Sequence, residues 1–143
     1  MSPRPETEVE ANLALMTRLM NYAGDAGLTR LAEEADSFIH PDIEWFPSVL
    51  KYGKTVYRGR EEYVAYLRRA ARQTTGSSYI NVREIRPIGE DRVLGLAWAH
   101  YETEDGMSFD SEYALLARIE DGLIRELRSF SSLAEAERAA GDA

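Results

Sequence analysis

From Ser78 to Ser131 apolar and polar residues alternate with a period of two. That alternation predicts four strands, over residues 79–88, 92–103, 107–119 and 123–131. The breaks between them are short and turn-rich: Gly89-Glu90-Asp91, Glu104-Asp105-Gly106 and Glu120-Asp121-Gly122. Connections this short join antiparallel neighbours, because a parallel crossover needs about a dozen residues or more. A long twisted sheet must bury one face. The chain available to cover it lies mostly ahead of it in sequence.

That leading part reads as helices around one further strand. Thr7 and Glu10 form a capping-box pair, and Val9, Leu13, Met16, Met20 and Ala23 then recur at helical spacing up to a stop at Gly24. Residues 1–6 are left as a flexible tail. A short second helix starts near Thr29. Residues 43–49 read as a strand, closed by the turn-prone run 51–54, with Val56-Tyr57 as a short extended piece. Gly59 opens a third helix, with Glu61 and Glu62 in its first turn and Arg68, Arg69 and Arg72 in its last, as the helix dipole favours. Ser132 and Glu135 cap a final helix, so that 132–143 form a C-terminal helix and tail. No linker or repeat interrupts the chain, and residues 1–143 read as one α+β domain. Its expected architecture is a curved antiparallel sheet wrapped over N-terminal helices. If the sheet curls around the first helix, a cone with an internal pocket results, its outer face exposed or paired with a second copy.

Composition removes several classes of function. A chain of 143 residues can bury a sizeable core. Its net charge of −8 and the lack of a basic stripe argue against nucleic acid as a partner. With no cysteine there is no disulfide, thiol nucleophile or cysteine metal site. The two histidines are far apart and fit no metal-ligand spacing, so no metal is expected. No Gly-x-Gly-x-x-Gly or Gly-x-Ser-x-Gly motif is present, so no nucleotide cofactor and no nucleophile elbow is expected. No apolar run approaches the roughly 20 residues that span a bilayer, and the first eight residues lack a signal-peptide core. The expected location is the cytoplasm.

The element order, with His40-Pro41-Asp42-Ile43-Glu44-Trp45, Val56-Tyr57-Arg58-Gly59-Arg60-Glu61, Gly89-Glu90-Asp91-Arg92-Val93, Glu120-Asp121-Gly122-Leu123-Ile124 and the tail from Ala134 to Gly141, resembles the nuclear-transport-factor-two-like superfamily, and especially its SnoaL-like branch. The resemblance covers nearly the whole chain. It implies a pocket between the first helix and the concave sheet face, a small-molecule ligand and a homodimer built through the outer face. It also implies which side chains point inward: Glu44 and Phe46; Leu94, Leu96, Trp98 and His100; Tyr113 and Leu115; Leu127 and Ser129. A one-residue slip would send any of these sets to the other face, and on the last strand it would bring in Glu126, Arg128 and Phe130.

The resemblance also shows what is missing. In the ketosteroid isomerase branch an aspartate base falls where this chain has Phe46, and the acid of the oxyanion hole falls on Leu115. The helix tyrosine of that branch corresponds to Tyr22, with Thr17 the other candidate. The arginine and aspartates of limonene epoxide hydrolases fall on Trp98, His100 and Ser129. The SnoaL cyclases use an aspartate and a histidine, of which His100 supplies only the imidazole.

His100 ends an apolar strand, where an imidazole is suited to act as a general base near neutral pH. It reads equally as a histidine satisfied structurally or facing solvent. Glu44 sits between Ile43 and Trp45. Turned inward it is an acid whose pKa burial raises; otherwise it is an ion-pair partner of Arg58 or Arg60, or plain surface. Alternation alone makes Ile43 and Trp45 the buried pair. Tyr113 is the candidate donor to a ligand carbonyl. Phe46, Trp98, Leu115, Leu127, Ser129, Tyr22 and Tyr63 complete the expected lining, Tyr57 and Tyr66 being further aromatic candidates.

Two functional readings follow. One is a cofactor-independent isomerase, cyclase or dehydratase for a small apolar oxygenated molecule, with His100 as base, Glu44 as acid or partner and Tyr113 polarising a carbonyl. The other is a non-catalytic ligand-binding or dimerisation module, in which Glu44 or His100 is exposed or locked in a structural pair.

Overall fold

In the computed structural model the described residues are 4–24, 27–48, 53–73, 79–102 and 105–141. Helix α1 (Arg4–Gly24) is followed by α2 (Leu28–Glu33), a 3₁₀ turn (Ala35–Ser37), strands β1 (Ile39–Phe46) and β2 (Tyr57–Arg58), and helix α3 (Arg60–Gln73). The meander β3 (Tyr79–Ile88), β4 (Arg92–Glu102), β5 (Ser108–Glu120) and β6 (Leu123–Phe130) comes next, then α4 (Leu133–Gly141). Strand β1 runs Ile39–Phe46 where 43–49 was expected, with Pro47 and Ser48 beyond its end; Val49, Thr103 and part of the 51–54 turn lie outside the described residues.

The four strands of the meander stand where the period of two puts them, and their pairings with one another are antiparallel. The β5–β6 turn shows the mechanism. Asp121 and Gly122 both have positive φ, 57° and 77°, and Glu120 pairs directly with Leu123. This is the two-residue turn whose twist matches a hairpin, and a glycine adopts it without a Cβ penalty.

Two further expectations are corrected. The sheet is mixed, because β1 joins β6 in parallel, giving the order β2-β1-β6-β5-β4-β3. This edge was hidden in the sequence, since its partners lie at opposite ends of the chain. Helix α1 starts at Arg4, so Thr7 lies inside it rather than capping it, and the residues from Arg4 are helix rather than tail. At the other end the cap forms as expected: the Glu135 amide donates to Ser132 Oγ at 3.2 Å, and the Leu133 amide donates to Glu112 Oε1 at 3.0 Å.

The main core lies between the concave face and the leading helices. Met16, Leu19 and Met20 of α1 and Tyr63, Leu67 and Ala70 of α3 are buried against Ile43, Val93, Ala97, Ala117 and Leu127. Gly95 lets α1 come close, because a Cβ there would meet Met20 Sδ, with Met16 Cε 3.4 Å away. A second, smaller core lies on the outer face, where Ala136 and Ala140 of α4 cover Leu94, Ala114 and Leu116.

Candidate functional site

Strand phase decides which side chains reach the interior. On β1 plain alternation holds: Ile43 and Trp45 are buried, at 0% and 4% exposure, and Glu44 lies on the outer face. Glu44 accepts from Arg58 Nη1 at 2.6 Å and sits 3.9 Å from Arg125 Nη1, so one of its ion-pair partners is the one the sequence suggested. Phe46 shares that face, with the Arg128 guanidinium 4.3 Å above its ring. The inward placement of Glu44 and Phe46 is therefore corrected.

Strand β4 is shifted in the same way. Val93, Gly95 and Ala97 face α1, while Leu94 and Leu96 pack on the α4 side. Trp98 is 38% exposed, with Arg83 stacked 5.9 Å from its ring centre. The reason is steric. The approach of α1 leaves room only for small side chains, so the bulky set, which reads as core in the sequence, turns outward. His100 goes with it. Its Nδ1 lies 2.7 Å from Asp110 and its Nε2 2.8 Å from Glu102. Those two carboxylates, Glu102 first, raise the imidazole pKa above its ordinary value.

Glu44 and His100 do not meet. Glu44 belongs to the cross-strand row that runs through Glu126, Arg118 and Arg92, and His100 to the row of Asp110 and Tyr79. On β5 these rows are separated by the strand from Asp110 to Arg118, roughly 27 Å at about 3.4 Å per residue.

The other expected positions do face inward. Leu115 and Leu127 are buried, at 3% and 1% exposure, and Tyr113 packs on the inner core from a half-buried position. Ser129 is buried, and its Oγ is engaged both ways: it accepts from the Ser48 amide at 2.6 Å and donates to Ser48 Oγ at 2.9 Å. It thus ties the chain just after β1 to β6. Tyr63 is buried deeply enough that desolvation pushes its phenol pKa up. Tyr22 is placed differently from expectation. It stacks on Phe38 at 5.7 Å and donates to Glu34, whose carboxyl is held below its ordinary pKa chiefly by that hydroxyl. Its own pocket, about 270 Å³ with Arg18, Asn21 and Arg30, opens beside α1 and α2 rather than against the sheet.

What the interior contains instead is an aromatic cluster centred on Trp45. Tyr63 and Tyr66 meet its ring edge-on, with centroids 5.8 Å and 5.5 Å away, and Tyr66 lies 5.1 Å from Tyr57. The indole Nε1 of Trp45 is buried without a hydrogen-bond partner. Buried donors are nearly always paired, and an orphan costs about 1–3 kcal/mol. Trp45 was legible as a buried residue from alternation, but nothing in the sequence marks its N–H as unpaired. Among the described residues the only buried polar side chain outside the aromatics is Ser129.

Among the described residues one group of potential metal ligands converges, His40 with Glu120 and Asp121. It is poorly suited to an ion. His40 Nδ1 accepts the Asp42 amide hydrogen at 3.0 Å, so in the neutral ring the proton sits on Nε2, the nitrogen that faces Glu120 at 3.8 Å. A protonated nitrogen has no lone pair to offer a metal.

No protein-family model matches the chain, and no curated protein sequence matches it. Solved structures do. A protein assigned as a SnoaL-like polyketide cyclase from Jannaschia sp. CCS1 is 17% identical, with a TM-score of 0.71 over 100% of this chain and 97% of its own. A protein of unknown function with a cystatin-like fold from Xanthomonas campestris is 22% identical, with a TM-score of 0.70 over 88% and 94%. TerC, co-crystallised with polyporic acid, is 20% identical, with a TM-score of 0.64 over 95% and 98%. The mixed open sheet, its covering helices and these matches together show the nuclear-transport-factor-two-like, or cystatin-like, fold.

Proposed function

We propose that this protein binds a small, largely apolar molecule carrying an oxygen acceptor, beneath the concave face of the sheet. The observation that carries the reading is the orphaned indole N–H of Trp45, held in an aromatic cluster. A ligand carbonyl or ether oxygen would satisfy it, and the surrounding rings would bury the ligand's apolar body. TerC, a fold relative, was crystallised with polyporic acid.

Binding without catalysis is favoured over proton transfer by His100 and Glu44. Both groups are engaged in ion pairs on the outer face, as the non-catalytic reading requires. Of the three groups assigned to catalysis, only Tyr113 packs on the interior side.

The test is a fluorescence and thermal-shift screen with aryl ketones and hydroxyquinones, run on Trp98→Phe so that Trp45 is the sole tryptophan reporter. A hit should perturb Trp45 emission, and Trp45→Phe should weaken its binding by roughly threefold to tenfold. If no probe alters emission or melting temperature, or if Trp45→Phe binds as tightly as the parent, the reading fails.

A further inference from the structure

The outer face carries a second feature that the interior site does not use. Between the sheet and α4 runs a groove of about 440 Å³, lined by Arg92, Leu116, Arg118, Glu126, Arg128 and Ala139. Its three arginines come from three adjacent strands: Arg92 pairs across to Arg118, and Leu116 across to Arg128. Two cations directly opposite each other on neighbouring strands repel. Three arginines stand against one lining carboxylate, Glu126, and against Glu120 beside Arg118, so the groove keeps a positive excess in a chain whose net charge is −8.

The guanidinium groups are braced but not consumed. Glu126 takes Arg128 Nε at 2.5 Å and Arg118 Nε at 3.6 Å. Arg92 Nη2 donates to the Ala140 carbonyl at 3.1 Å, and Arg118 Nη1 to Glu120 at 3.3 Å. Arg128 also lies against the Phe46 ring. Each guanidinium presents five N–H donors in a fixed fork, so most of the donors stay available. Leu116 and Ala139 supply an apolar surface beside them.

We infer that this groove is a binding site for a small organic oxyanion, a carboxylate or phosphate on a compact apolar body. An anion there would relieve the Arg92–Arg118 repulsion and accept from guanidinium groups already held in place. The volume lies within the range of small-molecule sites.

The experiment is a titration of the full chain at low salt with benzoate, phenyl phosphate, inorganic phosphate and neutral benzyl alcohol, followed by amide NMR shifts. Saturable shifts at Leu116 and Ala139 are expected with the organic anions and not with benzyl alcohol. Arg118→Gln and Arg128→Gln should each weaken binding about tenfold or more, since bonds to charged groups are the strong ones. Glu126→Gln, which removes the competing negative charge, should tighten it. Arg83→Gln carries the same charge change beside Trp98 and should leave it unaltered. Binding of inorganic phosphate alone, without gain from the phenyl group, would overturn the assignment of an organic body. The site itself is refuted by the absence of shifts at about 10 mM of every anion, or by equal weakening in Arg83→Gln. It is also refuted if light scattering shows a second copy seated on this face and anions do not perturb it.

Discussion

Replacing Trp45 by phenylalanine should leave the stability of the free protein close to that of the parent. Trp45 is 4% exposed and packed edge-on by Tyr63 and Tyr66. Truncating such a ring to alanine costs about 3–5 kcal/mol through lost burial and the cavity left behind. Phenylalanine keeps most of the ring and its aromatic contacts, so its share of that loss is roughly 1–2 kcal/mol. It also removes a donor that has no partner, and that donor costs about 1–3 kcal/mol in the native state. The two effects oppose each other, and the net change should fall within about 1 kcal/mol of zero. Urea unfolding followed by circular dichroism measures it, with Trp45→Ala as the full-truncation reference. A loss of about 3 kcal/mol or more in Trp45→Phe would refute the reasoning. It would mean that the N–H makes a bond worth keeping, and the argument for a ligand acceptor there would go with it.

Two other predictions concern the outer face and the α1 contact. The pKa of His100 is raised in the folded state, so its contribution to stability is complete below the unfolded imidazole value of about 6.5 and is lost as pH rises through the folded value. The gap in urea midpoint between parent and His100→Gln should therefore shrink from about pH 6 to about pH 9; a gap that is constant or widens contradicts the Glu102–His100–Asp110 arrangement. Gly95→Ala should destabilise by about 0.5–2.5 kcal/mol, overpacking offset in part by the reduced freedom of the unfolded chain. Because the clash is with the flexible Met20 side chain, the loss should be smaller in a Met20→Ala background. Strict additivity in that double-mutant cycle would show that α1 does not rest on Gly95.

Local chemistry was legible for several features settled by neighbours in sequence, although the Thr7–Glu10 pair, which falls inside α1, shows that a local pattern alone does not place a helix start. The Asp121-Gly122 turn, the Ser132 cap and the Ile43/Trp45 alternation each follow from two or three adjacent residues. The inward phases of Tyr113, Leu115, Leu127 and Ser129 also stood as expected. The outward turn of the β4 set has a physical cause. On β4 both alternating sets are apolar enough to be buried, and both are, Val93 and Ala97 under α1 and Leu94 under α4. Period alone cannot choose between them; the closeness of α1 over Gly95 does. Carrying family positions onto β1 produced the same one-residue slip for Glu44 and Phe46, against what alternation already said. The parallel β1–β6 edge and the orphan on Trp45 are tertiary facts, without a local signature.

That parallel edge has a kinetic consequence. The meander from β3 to β6 forms from pairings between consecutive strands, whereas β1 reaches β6 only by closing most of the chain into a loop, with Ile39 set beside Ile124. Loops are closed before non-local contacts reward the closure, so docking of β1 belongs late in folding. Trp45 enters the interior on that strand, and the proposed binding site is therefore among the last parts of the molecule to assemble. A ligand held there should act chiefly on unfolding, slowing the release of β1, and its effect on the rate at which the meander forms should be small.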